Sequence, residues 1–139
     1  MDRETIETFF KRYAEVSMGD EPAGLAQMYE QSFIVGDPKG AMTYPNDEKF
    51  LEWLQRVHDF NAQTSMRSMT MSKLTSTQEL SATHTIATVE WDARFAKTGE
   101  TPITFEITYL LQNLGEGPKI VAYISHADQE DEMKRLGLL

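Results

Sequence analysis

The 139-residue chain contains no cysteine. Disulfides, thiolate nucleophiles and cysteine-based zinc or iron–sulfur centres are thereby excluded. No apolar run opens it either: Met1-Asp2-Arg3-Glu4 leads straight into an amphipathic segment. Neither a signal peptide nor a membrane span is therefore expected, and the cytoplasm is the expected compartment. Basic clusters are missing as well. Thirteen Lys and Arg against 22 Asp and Glu give a net charge of −9. That charge repels phosphate backbones and argues against nucleic acid as a partner. A glycine-rich phosphate loop, a Ser-His-Asp ordering and a nucleophile elbow are all absent, so covalent catalysis has no support. The three histidines, His58, His84 and His126, match no metal-binding spacing. Neither a metal nor a cofactor is expected. Repeats, low-complexity tracts and linkers are also lacking, which leaves a single domain over residues 1–139.

What is present reads as an ordinary globular chain, 40% apolar and 25% charged. Asp2 is a helix cap, and Ile6, Phe9, Phe10, Tyr13 and Ala14 or Val16 follow at helical spacing up to Gly19. A short second helix opens at Asp20-Glu21-Pro22, with Leu25, Met28 and Tyr29 on its buried side. Ser32 to Val35 is a short strand stopped by the turn residues Gly36 to Gly40. Asn46-Asp47-Glu48 starts a third helix carrying Phe50, Leu51, Trp53, Leu54, Val57 and Phe60.

After Asn61 the apolar period changes from 3.6 to 2. Met69 and Met71 alternate with polar residues, and Leu74 breaks parity, the mark of a bulge. Ala87, Val89, Trp91, Ala93 and Phe95 then point one way, with Thr88, Glu90, Asp92 and Arg94 the other. Phe105, Ile107 and Tyr109 alternate with Glu106 and Thr108 in the next strand. A last strand runs from Lys119 to about His126, and Asp128 caps a terminal helix ended by Gly137.

Helices first and strands later predict an α+β fold. The strands read about twice the usual five or six residues, and strands of that length coil. The expected architecture is a strongly bent antiparallel sheet, a half-open cone packed on three N-terminal helices around a hollow. The last strand is apolar on both parities, Ile120, Ala122 and Ile124 against Val121 and Tyr123. Burial on both faces predicts a homodimer through the outer sheet face.

Three segments carry a family resemblance. They are Lys11-Arg12-Tyr13-Ala14 with Gly19-Asp20 and Leu25 to Tyr29, then Phe33 to Pro38, then Gly117 to Tyr123. With the element order, the chain resembles the nuclear-transport-factor-2-like superfamily, a cystatin-like fold that includes ketosteroid isomerase, scytalone dehydratase and SnoaL-like cyclases. In ketosteroid isomerases a helical Tyr is the oxyanion donor and an Asp before Pro the general base. Tyr13 and Asp37 match those positions. Where that site has a protonated Asp, this chain has Ile107, Thr108 and Tyr109, with Glu106 nearby.

The candidate catalytic residues are thus Asp37, Tyr13 and His126. Asp37 is either a base at a pocket mouth or an ordinary Asp-Pro turn residue. Tyr13 either donates to an oxyanion or fills core. His126 either reaches the pocket rim or leads into the Asp128 cap. Tyr44, Trp53, Met69, Trp91 and Tyr109 are the expected ligand-pocket lining, suited to a small hydrophobic molecule. Two functions follow: a cofactor-independent acid–base isomerase, dehydratase or cyclase, or a non-catalytic ligand-binding or dimeric interaction domain.

Overall fold

In the computed structural model, which describes residues 1–19, 21–99, 101–135 and 137, Asp2 caps the first helix. Its carboxylate accepts the Thr5 N–H at 2.8 Å. Helix α1 (Arg3–Ser17) buries Ile6, Phe9, Phe10, Tyr13 and Ala14, the stripe expected from its spacing. A short α2 (Pro22–Ala26) carries proline in its first turn, where the missing N–H has no helical partner to lose. Helix α3 (Glu48–Gln63) is capped by Asp47, which accepts the N–H groups of Lys49 and Phe50.

Six strands follow or intervene: β1 (Tyr29–Asp37), β2 (Gly40–Pro45), β3 (Met66–Glu79), β4 (His84–Phe95), β5 (Ile103–Gln112) and β6 (Lys119–Ser125). They form one curved, unclosed sheet in the order β2-β1-β6-β5-β4-β3. All junctions are antiparallel except β1–β6, where the helical crossover and the β3–β6 meander bring the last strand back parallel to the first. The fold is α+β, with the helices against the concave face. A final helix, α4 (Gln129–Arg135), follows β6, and Gly137 adopts φ 76 just beyond it.

The bend has visible causes. Strand β3 shifts register against β4 near Ser68, between Met71 and Lys73, and after Leu74, and each extra residue deepens the local twist. Another shift between Leu110 and Leu111 acts on β6. It resolves that strand's double apolarity. Ile120 is fully buried and points inward like Tyr123 and Ser125, while Ala122 and Ile124 point outward. A regular strand would place Ile120 with Ala122, so the bulge converts one apolar residue from outer to inner face.

Two elements differ from their sequence patterns. β1 begins three residues earlier than Ser32, and β2 was not expected at all. Every β2 residue is exposed, so it shows no burial alternation for a period to betray. Tyr29 accordingly belongs to a strand, not to the buried side of α2. The start of the second helix at Asp20 lies outside the described residues.

Candidate functional site

Alternation places Thr85, Ala87, Val89, Trp91, Ala93 and Phe95 of β4 on the concave face, all at 3% exposure or less. Registry puts Phe105, Ile107 and Tyr109 of β5 beside Trp91, Val89 and Ala87. Residues Tyr123 and Ser125 of β6 then lie beside Tyr109 and Ile107. Between this face and the helices lies a cavity of about 1030 Å³. The strand ends at Asp37, Met66, Phe95, Ile103 and Ser125 share one end of the sheet, so the cavity opens there.

Its inner wall is aromatic and hydroxylated. Tyr13 and Tyr29 share a hydrogen bond between their hydroxyls at 2.6 Å, and Trp91 Nε1 donates to the Tyr109 hydroxyl at 3.0 Å. Tyr13 lies 5.7 Å from Trp91 and 6.1 Å from Tyr109, ring centre to ring centre. Burial pushes the Tyr13 phenol up to about 12, partly countered by the bond from Tyr29. Burial likewise raises Tyr29 and Tyr109 well above the ordinary phenol value, with the neighbouring tyrosines adding to it. All three remain neutral hydrogen-bond donors at physiological pH.

The mouth is different chemistry. Asp37 is exposed, and its Oδ1 accepts the Lys39 N–H at 2.8 Å in an Asx turn. The ammonium of Lys39 crosses to Asp128 Oδ2 at 2.7 Å. That hydrogen bond, followed by one from the Asp131 N–H, holds the Asp128 carboxyl below its usual range. Asp37, Asp128, Glu130 and Glu132 line the opening, with Lys39 and His58.

The sequence candidates therefore separate. Tyr13 and Asp37 both line the cavity, one deep inside and one at the rim. His126 also borders the opening, but its Nε2 is 2.6 Å from Thr108 Oγ1, which in turn bonds Thr88 Oγ1 across the outer face. Trp53, Met69, Trp91 and Tyr109 are among the residues lining the hollow. Trp53 is 46% exposed and stacks on Phe50 at the rim, so it is less a wall than a border. Tyr44 is not among the lining residues; it stacks on Phe33 at the β2 edge. The sequence pattern places Tyr29 on the buried side of the second helix, and so misses it as the hydroxyl partner of Tyr13. Among the described residues no three His, Asp or Glu come close enough to hold a metal ion.

A family model described as "NTF2-like protein (DUF6841)" matches residues 3–128. The chain belongs to that NTF2-like family. The same fold recurs in an NTF2-like protein of unknown function from Shewanella oneidensis MR-1, at 14% identity and a TM-score of 0.70 over 91% of this chain and 99% of that one. A cystatin-like domain of unknown function from Nostoc punctiforme PCC 73102 has 12% identity and a TM-score of 0.70 over 99% of this chain and 86% of its own. A ketosteroid-isomerase-like protein from Catenulispora acidiphila DSM 44928, in complex with trimethylamine, has 17% identity and a TM-score of 0.58 over 94% and 93% of the two chains. No curated protein matches. The NTF2-like fold often binds small molecules or acts in isomerisation. No described helix is long and apolar enough to cross a membrane.

Proposed function

We propose that this NTF2-like domain binds a small, largely apolar molecule whose buried end carries a hydrogen-bond acceptor such as a carbonyl oxygen. A count of hydroxyl protons carries this reading. In the Tyr13–Tyr29 pair one proton is used between the two oxygens and the other is left over. Tyr109 spends its acceptor on Trp91 and keeps its own proton. Two buried donors thus have no acceptor among the described residues, inside a cavity large enough for a ligand. A buried donor without a partner is costly, so an acceptor arriving there is favoured. The Catenulispora fold neighbour is in complex with a small molecule, trimethylamine, which is consistent with small-molecule binding on this fold.

Acid–base chemistry assigns Tyr13 the oxyanion donor, Asp37 the base and His126 the helper. Of these Tyr13 has the best support. The Asp37 carboxylate is exposed and occupied by its turn, and the His126 ring is engaged with Thr108. Binding without catalysis is therefore the better-supported reading. No cofactor enters this reading, and the domain is taken to act in the cytoplasm.

Thermal shift with 1-tetralone and with tetralin, its hydrocarbon counterpart, tests the claim. A ligand at about 100 times its dissociation constant adds about 2.7 kcal/mol of stability. The ketone should stabilise the protein more than the hydrocarbon, and Tyr29→Phe should shrink the difference. Equal stabilisation defeats the acceptor claim; none from either defeats binding of this ligand class.

The outer face supports the homodimer. Registry aligns Ile34, Ala122, Leu110 and Ile86 in one apolar row across four strands, with Ile124 in the next row. Ile34 and Ile124 are 40% and 38% exposed in the single chain. A two-fold copy would cover them. Light scattering after size exclusion should give a dimer, converted to monomer by Ile124→Glu; a monomer for the parent protein at micromolar concentration contradicts it.

A further inference from the structure

We propose that α4 is a lid over the cavity, latched by the Lys39–Asp128 ion pair. The helix is seven residues long, too short to be stable by itself. Its one apolar residue is Met133, which packs on the rim cluster of Ala93 and Phe95 beside Met66, Ile103 and Phe105. The other attachments are polar. One carboxylate does double duty: Asp128 Oδ1 accepts the Asp131 N–H at 3.1 Å as a helix cap, while Oδ2 takes the Lys39 ammonium at 2.7 Å. Lys39 also lies 3.7 Å from Asp131.

The geometry makes this contact a latch between the β1–β2 turn and the start of α4 at the edge of the opening. Lys39 sits in the β1–β2 turn, which is braced by the Asp37 carboxylate and by Gly40 at φ 139. Asp128 begins α4 just after β6, the strand paired with β1, and both Lys39 and Asp128 line the cavity. Residues Ala127, Asp128, Glu130, Glu132 and Met133 line that opening, so the helix lies over it. The pairs Glu130–Lys134 and Glu132–Arg135 are internal to α4 and do not tie it to the sheet. Among the described residues, Lys39 and the Met133 packing are the contacts that hold α4 against the sheet, so releasing them loosens the helix with the sheet and core intact. Segments attached so sparsely open locally, well before global unfolding.

The latch can be tested without a ligand. In a Trp53→Phe background Trp91 is the sole tryptophan, lining the cavity at 1% exposure. Acrylamide, a small neutral quencher, then reports access to the hollow. Lys39→Met should raise the Trp91 quenching constant about twofold and speed amide exchange in residues 130–135 about tenfold, leaving the β4 amides unchanged. Asp128→Asn, which keeps a capping oxygen, should act in the same direction. The double variant should be no more open than either single one, since both remove the same contact. Unchanged quenching and exchange would overturn the latch. So would equal acceleration in β4, which would mean general loosening, or α4 amides in the parent protein as slow as those of β4.

Discussion

The inner end of the cavity and its mouth are built from the same strands, yet they are held in opposite ways. Deep inside, Trp91, Tyr109, Tyr13 and Phe10 interlock ring against ring, and one buried hydrogen bond joins each of the pairs Tyr13–Tyr29 and Trp91–Tyr109. At the mouth the contacts are turns, caps and exposed ion pairs. Close-packed aromatic contacts are numerous and cooperative, whereas exposed charges are well solvated whether or not they touch. One end is therefore a closely packed template, and the other a region that can open locally.

The largest way to break that contrast is at the inner end. Trp91→Ala removes a fully buried indole and the donor to Tyr109, and should cost about 3–5 kcal/mol in denaturant unfolding. A cost below about 1 kcal/mol would mean the aromatic wall is loosely packed.

Alkaline pH strikes the same end. Tyr13 ionises at about 12 in the fold, against an ordinary 10 when unfolded. Between these values the unfolded chain loses the proton while the folded one keeps it, so stability falls as pH rises from about 10 to 12. Two units correspond to on the order of 2–3 kcal/mol from this group, with Tyr29 and Tyr109 acting in the same direction. Urea melts from pH 9 to 12 should show the decline, and Tyr13→Phe should flatten it.

A smaller effect is expected from Tyr29→Phe, which strips Tyr13 of its hydroxyl partner while keeping the ring. The loss should be about 1–2 kcal/mol, readable as a lower urea midpoint with an unchanged slope. Smallest of all is Asp37→Asn at the mouth. The amide oxygen still accepts the Lys39 N–H, so stability should stay within about 0.5 kcal/mol. A large loss there would erase the distinction between the two ends.

Much of this was legible from residue order. The α1 stripe, the β4 and β5 alternation, the Leu74 irregularity and the Asp128 cap are local patterns, each set by a period or a single side chain. The inward direction of Trp91 and Tyr109 is likewise a matter of parity, which assigns a face once the helices are known to cover it. What residue order left undecided involved pairs distant in the chain. Tyr29 meets Tyr13 through a strand whose start no period marked, and Lys39 meets Asp128 across 89 positions. The side of β6 that Ile120 faces depended on a bulge opposite Leu110.

Alternation and capping are properties of neighbours along the chain, so the sequence by itself determined that a helix-covered, coiled sheet would form and which residues would face inward. Only the tertiary structure decided which hydroxyls touch, where the opening lies and what spans it. Those depend on how far a twisted sheet bends before its ends meet other elements, and that bend is the sum of several one-residue register shifts.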